Sequence, residues 1–348
     1  MNSVRLLAGL AVLALAGMLF VSLLGGGQRA QAGPRAFSSS SECQSCHEAE
    51  YAEWSTSEHA NSWTGPDVRR MSNDFANQDC IDCHAPLPIF ETGIGERVLP
   101  RTIRRIEGVD CIACHQHPDG GMAGSFTDPT VTCRPTEQIE LIRPEFCAGC
   151  HNQHLTMDQW KSSRYAEQGI TCIDCHMPYR EGNPAKGRDH SMHGGTSLEN
   201  LQGAVDLRGS FDEQSGGWVL ELENVGAGHS FPTDERSRAG DVFFRRLNSS
   251  GQGEGPWSLV HRLRSPYRSE VDVPDTLLLV HENRRIPLID RGVAATEEIL
   301  PNDAPGEIVS DSVEVLLIYK RSPYYPGGVG QPLEDEYAVE VHRIRLER

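Results

Sequence analysis

Residues 169–178 read Gly-Ile-Thr-Cys172-Ile-Asp-Cys175-His176-Met-Pro178. Two thiols three residues apart, with an imidazole directly after the second, make a demanding pattern, and it recurs four times. The other copies are Cys43-Gln-Ser-Cys46-His47, Cys80-Ile-Asp-Cys83-His84, Cys111-Ile-Ala-Cys114-His115 and Cys147-Ala-Gly-Cys150-His151. With 11 Cys and 14 His among 348 residues, chance supplies roughly 0.01 such matches. Cys-x-x-Cys-His is the attachment signature of c-type haem, in which both thiols bond one porphyrin and the adjacent His ligates its iron. A redox dithiol or half a zinc site also begins with Cys-x-x-Cys, but neither requires a His after every second Cys. The expectation is five covalently bound haem c, with His47, His84, His115, His151 and His176 as proximal ligands.

These motifs take ten of the 11 Cys and leave Cys133, either a structural thiol or a distal haem ligand. The odd count alone rules out a framework made only of internal disulfides. The net charge of −17 excludes a nucleic-acid binder, which needs Lys and Arg to displace counterions from phosphates. The apolar share is 38%. Counting Gly and dropping Tyr brings it to about 45%, low for a globular chain but well above disorder. Only Lys161, Lys186 and Lys320 are Lys, so the other 29 of the 32 basic residues are Arg. Codon usage or demand for bidentate carboxylate partners accounts for that excess. Arg101, Arg104 and Arg105 form one cluster, read either as a solvated face or as partners of haem propionates.

Arg5 precedes an uncharged run from Leu6 to Leu24, and Ala30-Gln-Ala32 follows with the small-x-small pattern of a signal-peptidase site. Residues 1–32 are therefore expected to be a signal peptide or a retained N-terminal anchor, the run being near the length that spans a bilayer. Either way the rest is exported, periplasmic or at the cell surface. Membrane contact is expected only through this segment if it stays uncleaved.

Distal ligands are sought among His59, His117, His154, His190 and His193 in the Cys-bearing part, which equal the haems in number. His117 is the weakest, being two residues from His115. Met71, Met122, Met157, Met177 and Met192 are competing ligands or gap-fillers. An internal repeat runs through this part. Trp54-x-x-Ser57-x-His59-Ala60 is echoed by Trp160-x-x-Ser163-x-Tyr165-Ala166. Each copy follows one attachment site and precedes another reading Cys-Ile-Asp-Cys-His-x-Pro, which suggests a haem pair used twice with the Cys111 site between the copies. His59 of the first copy is Tyr165 in the second, so one iron finds its ligand elsewhere or stays open; His154 is a candidate replacement.

This combination of motifs resembles the multihaem cytochromes c of the cytochrome c-554 type, over about residues 42–200. Asp189-His190-Ser191-Met192-His193-Gly194-Gly195 is similar to that family's His-x-x-x-Gly-Gly loop, which implies His190 as a distal ligand and leaves His193 as an extra. Five motifs instead of the family's four mean that its ligand pairing does not carry over wholesale.

Beyond Leu201 the Cys vanish and alternating segments begin: Trp218–Val225, Asp241–Leu247, Trp257–Arg264, Thr276–Val280, Arg284–Ile289, Ser312–Lys320 and Tyr337–Leu346. The expected fold class is α+β, a mainly helical, loop-rich haem domain (42–200, after a linker at 33–41) followed by an antiparallel β-sandwich (201–348). Gly228-His229-Ser-Phe231-Pro232-Thr233 resembles a Gly-His-x-x-Pro-Thr motif found behind haem domains in some exported multihaem cytochromes. His229 is read either as a ligand reaching across the domain boundary or as a turn residue packing it. His261, His281 and His342 lie within strand patterns and are expected to be ordinary.

A compact domain of this size has a radius of gyration of about 15 Å, which places five haem centres about 18 Å apart or closer. The sequence therefore points to an exported electron carrier or conduit with mostly bis-His haems. Its redox donor and acceptor are expected to be proteins, basic cytochromes or a membrane complex, drawn by the acidic surface. The alternative is a reductase or oxidase of small nitrogen or sulfur species at one open haem. The Cys-x-x-Cys-Lys site typical of pentahaem nitrite reductases is absent.

Overall fold

The structure is a computed structural model that describes residues 37–233, 238–266, 270–271, 273–290, 306–321 and 338–348. The expected leader, residues 1–32, lies outside the described residues. No helix among those described is long and apolar enough to cross a membrane.

The first half is built from short helices: α1 (Glu48–Ser55), α2 (Pro66–Met71), α3 (Asp79–His84), α4 (Ile89–Thr92), α5 (Cys111–His115), α6 (Pro144–His151), α7 (Thr156–Lys161), α8 (Arg164–Glu167), α9 (Cys172–His176) and α10 (Leu198–Ala204). Four of the five motifs fall on one of these turns. The reason is geometric: positions i, i+3 and i+4 share a helix face, so one turn presents Cys, Cys and His together. Helices of four to eight residues are far below the length that is stable alone in water, about 12–15 residues. They are ordered by capping and by what they pack against. Asp110 caps α5 by accepting from Ala113 N at 2.8 Å, and the Asp174 carboxylate of α9 accepts from Thr171 N at 2.9 Å. Apolar packing here is confined to small clusters, Phe75 with Ile81 and Ala85, and Ile89 with Val98 and Phe146. A two-strand parallel ribbon, β1 (Met122–Gly124) and β2 (Pro135–Glu137), follows α5.

Helix gives way to strand at Ala204–Val205. β3 (Val205–Asp212), β4 (Gly217–Asn224) and β7 (Asn283–Pro287) form one antiparallel sheet. β5 (Ala239–Leu247), β6 (Gly253–Leu263), β10 (Val313–Lys320) and β11 (Ala338–Leu346) form another in the order β11-β10-β5-β6. A minor pair, β8 (Ile289–Asp290) and β9 (Glu307–Ile308), completes the set. Leu207, Leu220, Leu222 and Ile286 of the first sheet share one buried cluster with Val242, Phe244, Val315 and Leu317 of the second. The fold is thus α+β, with the large apolar core between the two sheets.

Two differences from the sequence pattern stand out. Val205–Asp212 is a strand although its alternation continues straight out of α10 without a turn signal. Thr276–Val280 is not one; its ladder pairing is a single bridge, Phe231–Leu278, and Thr276 N donates to Arg264 O at 3.0 Å.

Candidate functional site

One cavity of about 3580 Å³ runs through the first half and up to the β-domain. All ten motif cysteines and all five motif histidines line it. Shared among five motifs it gives about 716 Å³ each, within the roughly 300–1,000 Å³ that a site for one small organic group occupies.

Three further imidazoles face motif histidines across this space. His59 lies 6.0 Å from His151, His190 6.3 Å from His115 and His229 6.2 Å from His176, between ring centres. A metal–nitrogen bond of about 2.0 Å plus about 1.1 Å from nitrogen to ring centre, taken twice, places two imidazoles on one metal about 6.2 Å apart. The three pairs therefore have the separation that a shared iron requires.

Their tautomers fit as well. Nδ1 of His84, His115, His176, His190 and His229 faces the carbonyls of Ser62, Ala123, His193, Arg188 and Ser230 at 2.7, 2.8, 2.6, 2.9 and 3.0 Å. A carbonyl only accepts, so each Nδ1 carries the proton and Nε2 keeps its lone pair for a metal. Burial, with the neighbouring His rings, holds His59 down to about 3 and His229 to about 4. These rings are neutral donors at pH 7. Burial pushes the Cys114 thiol up to about 12.

The attachment cysteines also meet across motifs. Cys43 lies beside Cys111, Cys83 beside Cys150 and Cys147 beside Cys172. The Cys147/Cys150 motif touches two others directly and lies beside Cys114 of a third. The sequence repeat is reassigned accordingly. Trp54 Nε1 donates to Val109 O at 2.8 Å, two residues before Cys111, and Trp160 Nε1 donates to Ile170 O at 3.0 Å, two residues before Cys172. The repeated unit pairs the first motif with the third and the fourth with the fifth, and the Cys80 motif stands between.

Not every candidate imidazole faces the cavity. His117 packs on Phe90 at 5.4 Å and beside Asp119, away from the lining, because the tight 117–121 turn carries it outward. His193 is half exposed, 3.9 Å from Asp189, and serves through its carbonyl on His176. The side chain of His154 lies outside the described residues. Tyr165, which replaces a His in the repeat, donates its hydroxyl to Val225 O at 3.1 Å and helps join the halves. His281 is part of the same seam: its Nε2 accepts from Arg164 N at 3.0 Å. Cys133 lines the cavity.

The Arg101 cluster is neither a solvated face nor free for a carboxylate ligand. Arg101 is 2% exposed and reaches Asp110 at 3.4 Å, while Arg104 reaches the same carboxylate at 2.5 Å. Two guanidinium groups thus clamp the residue that caps α5. Asp110 and the orienting carbonyls escaped the sequence reading; only an Asp directly before Cys111 could have signalled the cap.

Known proteins resemble this chain in part. Residues 42–116 match the family described as cytochrome c554 and c-prime. A cytochrome c-552 of Aliarcobacter butzleri (strain RM4018) is 23% identical over 192 residues, 40% of this chain and 38% of that protein. The chain thus spans under two-fifths of that relative. The crystal structure of a penta-haem cytochrome c552 from Thermochromatium tepidum superimposes with a TM-score of 0.58 at 17% identity, over 88% of this chain and 98% of that one. The chain is similar to multihaem c-type cytochromes. Its cofactor is covalently bound haem c, and the shared fold takes in both the helical half and the β-domain.

Proposed function

We propose that this protein is an exported pentahaem electron carrier or conduit in which at least three haems have two His ligands. The observation that carries the reading is the set of three imidazole pairs at 6.0–6.3 Å inside one cavity lined by five attachment motifs. Haem iron supplies reversible one-electron storage, at lower potential with two His than with His and Met. The polypeptide does the rest. Ten cysteines would hold the groups covalently, with His47, His84, His115, His151 and His176 as the motif ligands. His59, His190 and His229 would supply a second imidazole beside His151, His115 and His176. Backbone carbonyls hold the rings in the ligating tautomer. Contacts among Cys43–Cys111, Cys83–Cys150 and Cys147–Cys172 bring the attached groups together, with the Cys147/Cys150 motif as the junction.

His229 gives the β-domain a part in electron transfer, since the ring is buried in the cavity while its backbone belongs to the sheet side. The acidic chain favours a basic redox partner and a salt-dependent encounter rate. The apolar run before Ala32 supports export.

Redox titration of the mature protein followed by electron paramagnetic resonance tests the reading. Five one-electron centres, at least three of them low-spin with bis-imidazole signatures, are expected. Fewer than three low-spin ferric irons would overturn the ligand assignment.

A further inference from the structure

One loop, Arg188–Gly195, touches three of the imidazole pairs. His190 faces His115, the His193 carbonyl accepts from His176 Nδ1, and between them Met192 Sδ lies against Nδ1 of His59. Met192 holds a left-handed backbone, φ 51°, a conformation that favours Gly. Such outliers persist where the surroundings fix them, and they cluster at functional sites. Here the strained residue aims its sulfur at a buried ring.

The contact is chemically distinct from its counterparts. His115, His176, His190 and His229 each give the Nδ1 proton to a backbone carbonyl. A thioether also only accepts, so His59 Nδ1 still carries the proton and Nε2 is still the ligand, but sulfur is a weak acceptor. A strong acceptor on Nδ1–H raises the basicity of a ligating imidazole, and a more basic ligand favours ferric iron. A weak one does the reverse.

We propose that Met192 is a positioning residue that sets His59 in its ligating tautomer and raises the reduction potential of the haem held by Cys147, Cys150 and His151. The Cys147/Cys150 motif adjoins Cys83, Cys114 and Cys172 of three other motifs, so the device would draw electrons to a branch point. The proposal rests on the pentahaem reading with His59 as a distal ligand.

Spectropotentiometry of full-length mature protein tests it, with mass spectrometry confirming five haems in each variant. Met192→Gln offers a strong acceptor. It is expected to lower the reduction equilibrium constant of one haem about tenfold, about 59 mV for one electron. Met192→Leu offers none and is expected to leave all irons low-spin, with that potential no lower than the parent's. Met192→Asn replaces the Gln variant if the latter is not recovered with five haems. His59→Ala identifies the affected haem by turning it high-spin. Equal shifts in the Gln and Leu variants, or a shift at another haem, would overturn the proposal. So would a high-spin iron in Met192→Leu, which would make Met192 the ligand itself. Fewer than five haems in the parent would instead remove the reading beneath it.

Discussion

Replacing His229 by Ala removes one imidazole from the pair it forms with His176 at 6.2 Å. That separation equals two metal–nitrogen bonds plus two ring radii, so on the proposed reading this ring would be the second imidazole of the haem held by Cys172 and Cys175. The variant isolates ligation from docking, because the seam between the halves rests on other contacts. Arg164 Nη2 and Tyr165 Oη reach Val225 O at 3.0 and 3.1 Å, and Ser230 N reaches Gln159 at 3.0 Å. None involves the His229 ring. One of five motifs is affected, so about one-fifth of the iron should move from low-spin to high-spin, with four haems unchanged. Spin quantitation by electron paramagnetic resonance reads the fraction, and added imidazole should restore the low-spin signal. A His229→Ala protein with all its haems attached and the parent's spin distribution would refute His229 as a ligand. A change spread over several haems would refute the idea that the β-domain reaches only one.

Three further outcomes follow from the same contacts. Asp110→Ala removes the cap of α5, about 1 kcal/mol, and strands the buried Arg101, for about 3–5 kcal/mol; urea unfolding should show a loss of that order. Trp54→Phe and Trp160→Phe each delete one indole hydrogen bond at corresponding places in the repeat. Each should cost about 1 kcal/mol, and a large inequality between them in thermal melts would contradict the equivalence of the two units. Glu314 is 1% exposed; burial opposes its ionisation, but hydrogen bonds from Arg245 and Arg343 outweigh it and hold its pKa below the usual carboxylate value. A carboxylate lowered in the folded state stabilises it above the unfolded pKa of about 4.3, and this is lost as pH falls through the folded value. Glu314→Gln should therefore cost about 2 kcal/mol at pH 7, discounted for its partly exposed Arg partners, and progressively less towards pH 3. A cost that does not shrink in acid would contradict the ion-pair origin.

Legibility in the sequence followed the reach of the interactions. Cys-x-x-Cys-His is a local code, written on one helical turn, and every copy of it lines the cavity. His59 and His190, marked by local motifs, each face a motif histidine across the cavity. His229 was evenly balanced, because nothing local separates a turn His from one that crosses a domain boundary. Strands such as Val313–Lys320 showed within alternating segments, whereas Val205–Asp212 was hidden by the lack of a break after α10. The partnership of the first and third motifs was invisible, since it depends on an indole reaching from Trp54 to Val109. The orienting carbonyls have no side-chain signature at all. Arg101 and Arg104 were legible as a cluster but not as the clamp on Asp110, because a charge run looks the same whether it faces water or a buried carboxylate.

The most direct measurement is the intact mass of the mature protein, with and without alkylation under denaturing conditions. Five covalent attachment sites require the polypeptide plus five haem masses, with one alkylatable thiol, Cys133. A mass gain of four haems or fewer, or additional alkylatable thiols among the ten motif cysteines, would contradict the pentahaem assignment.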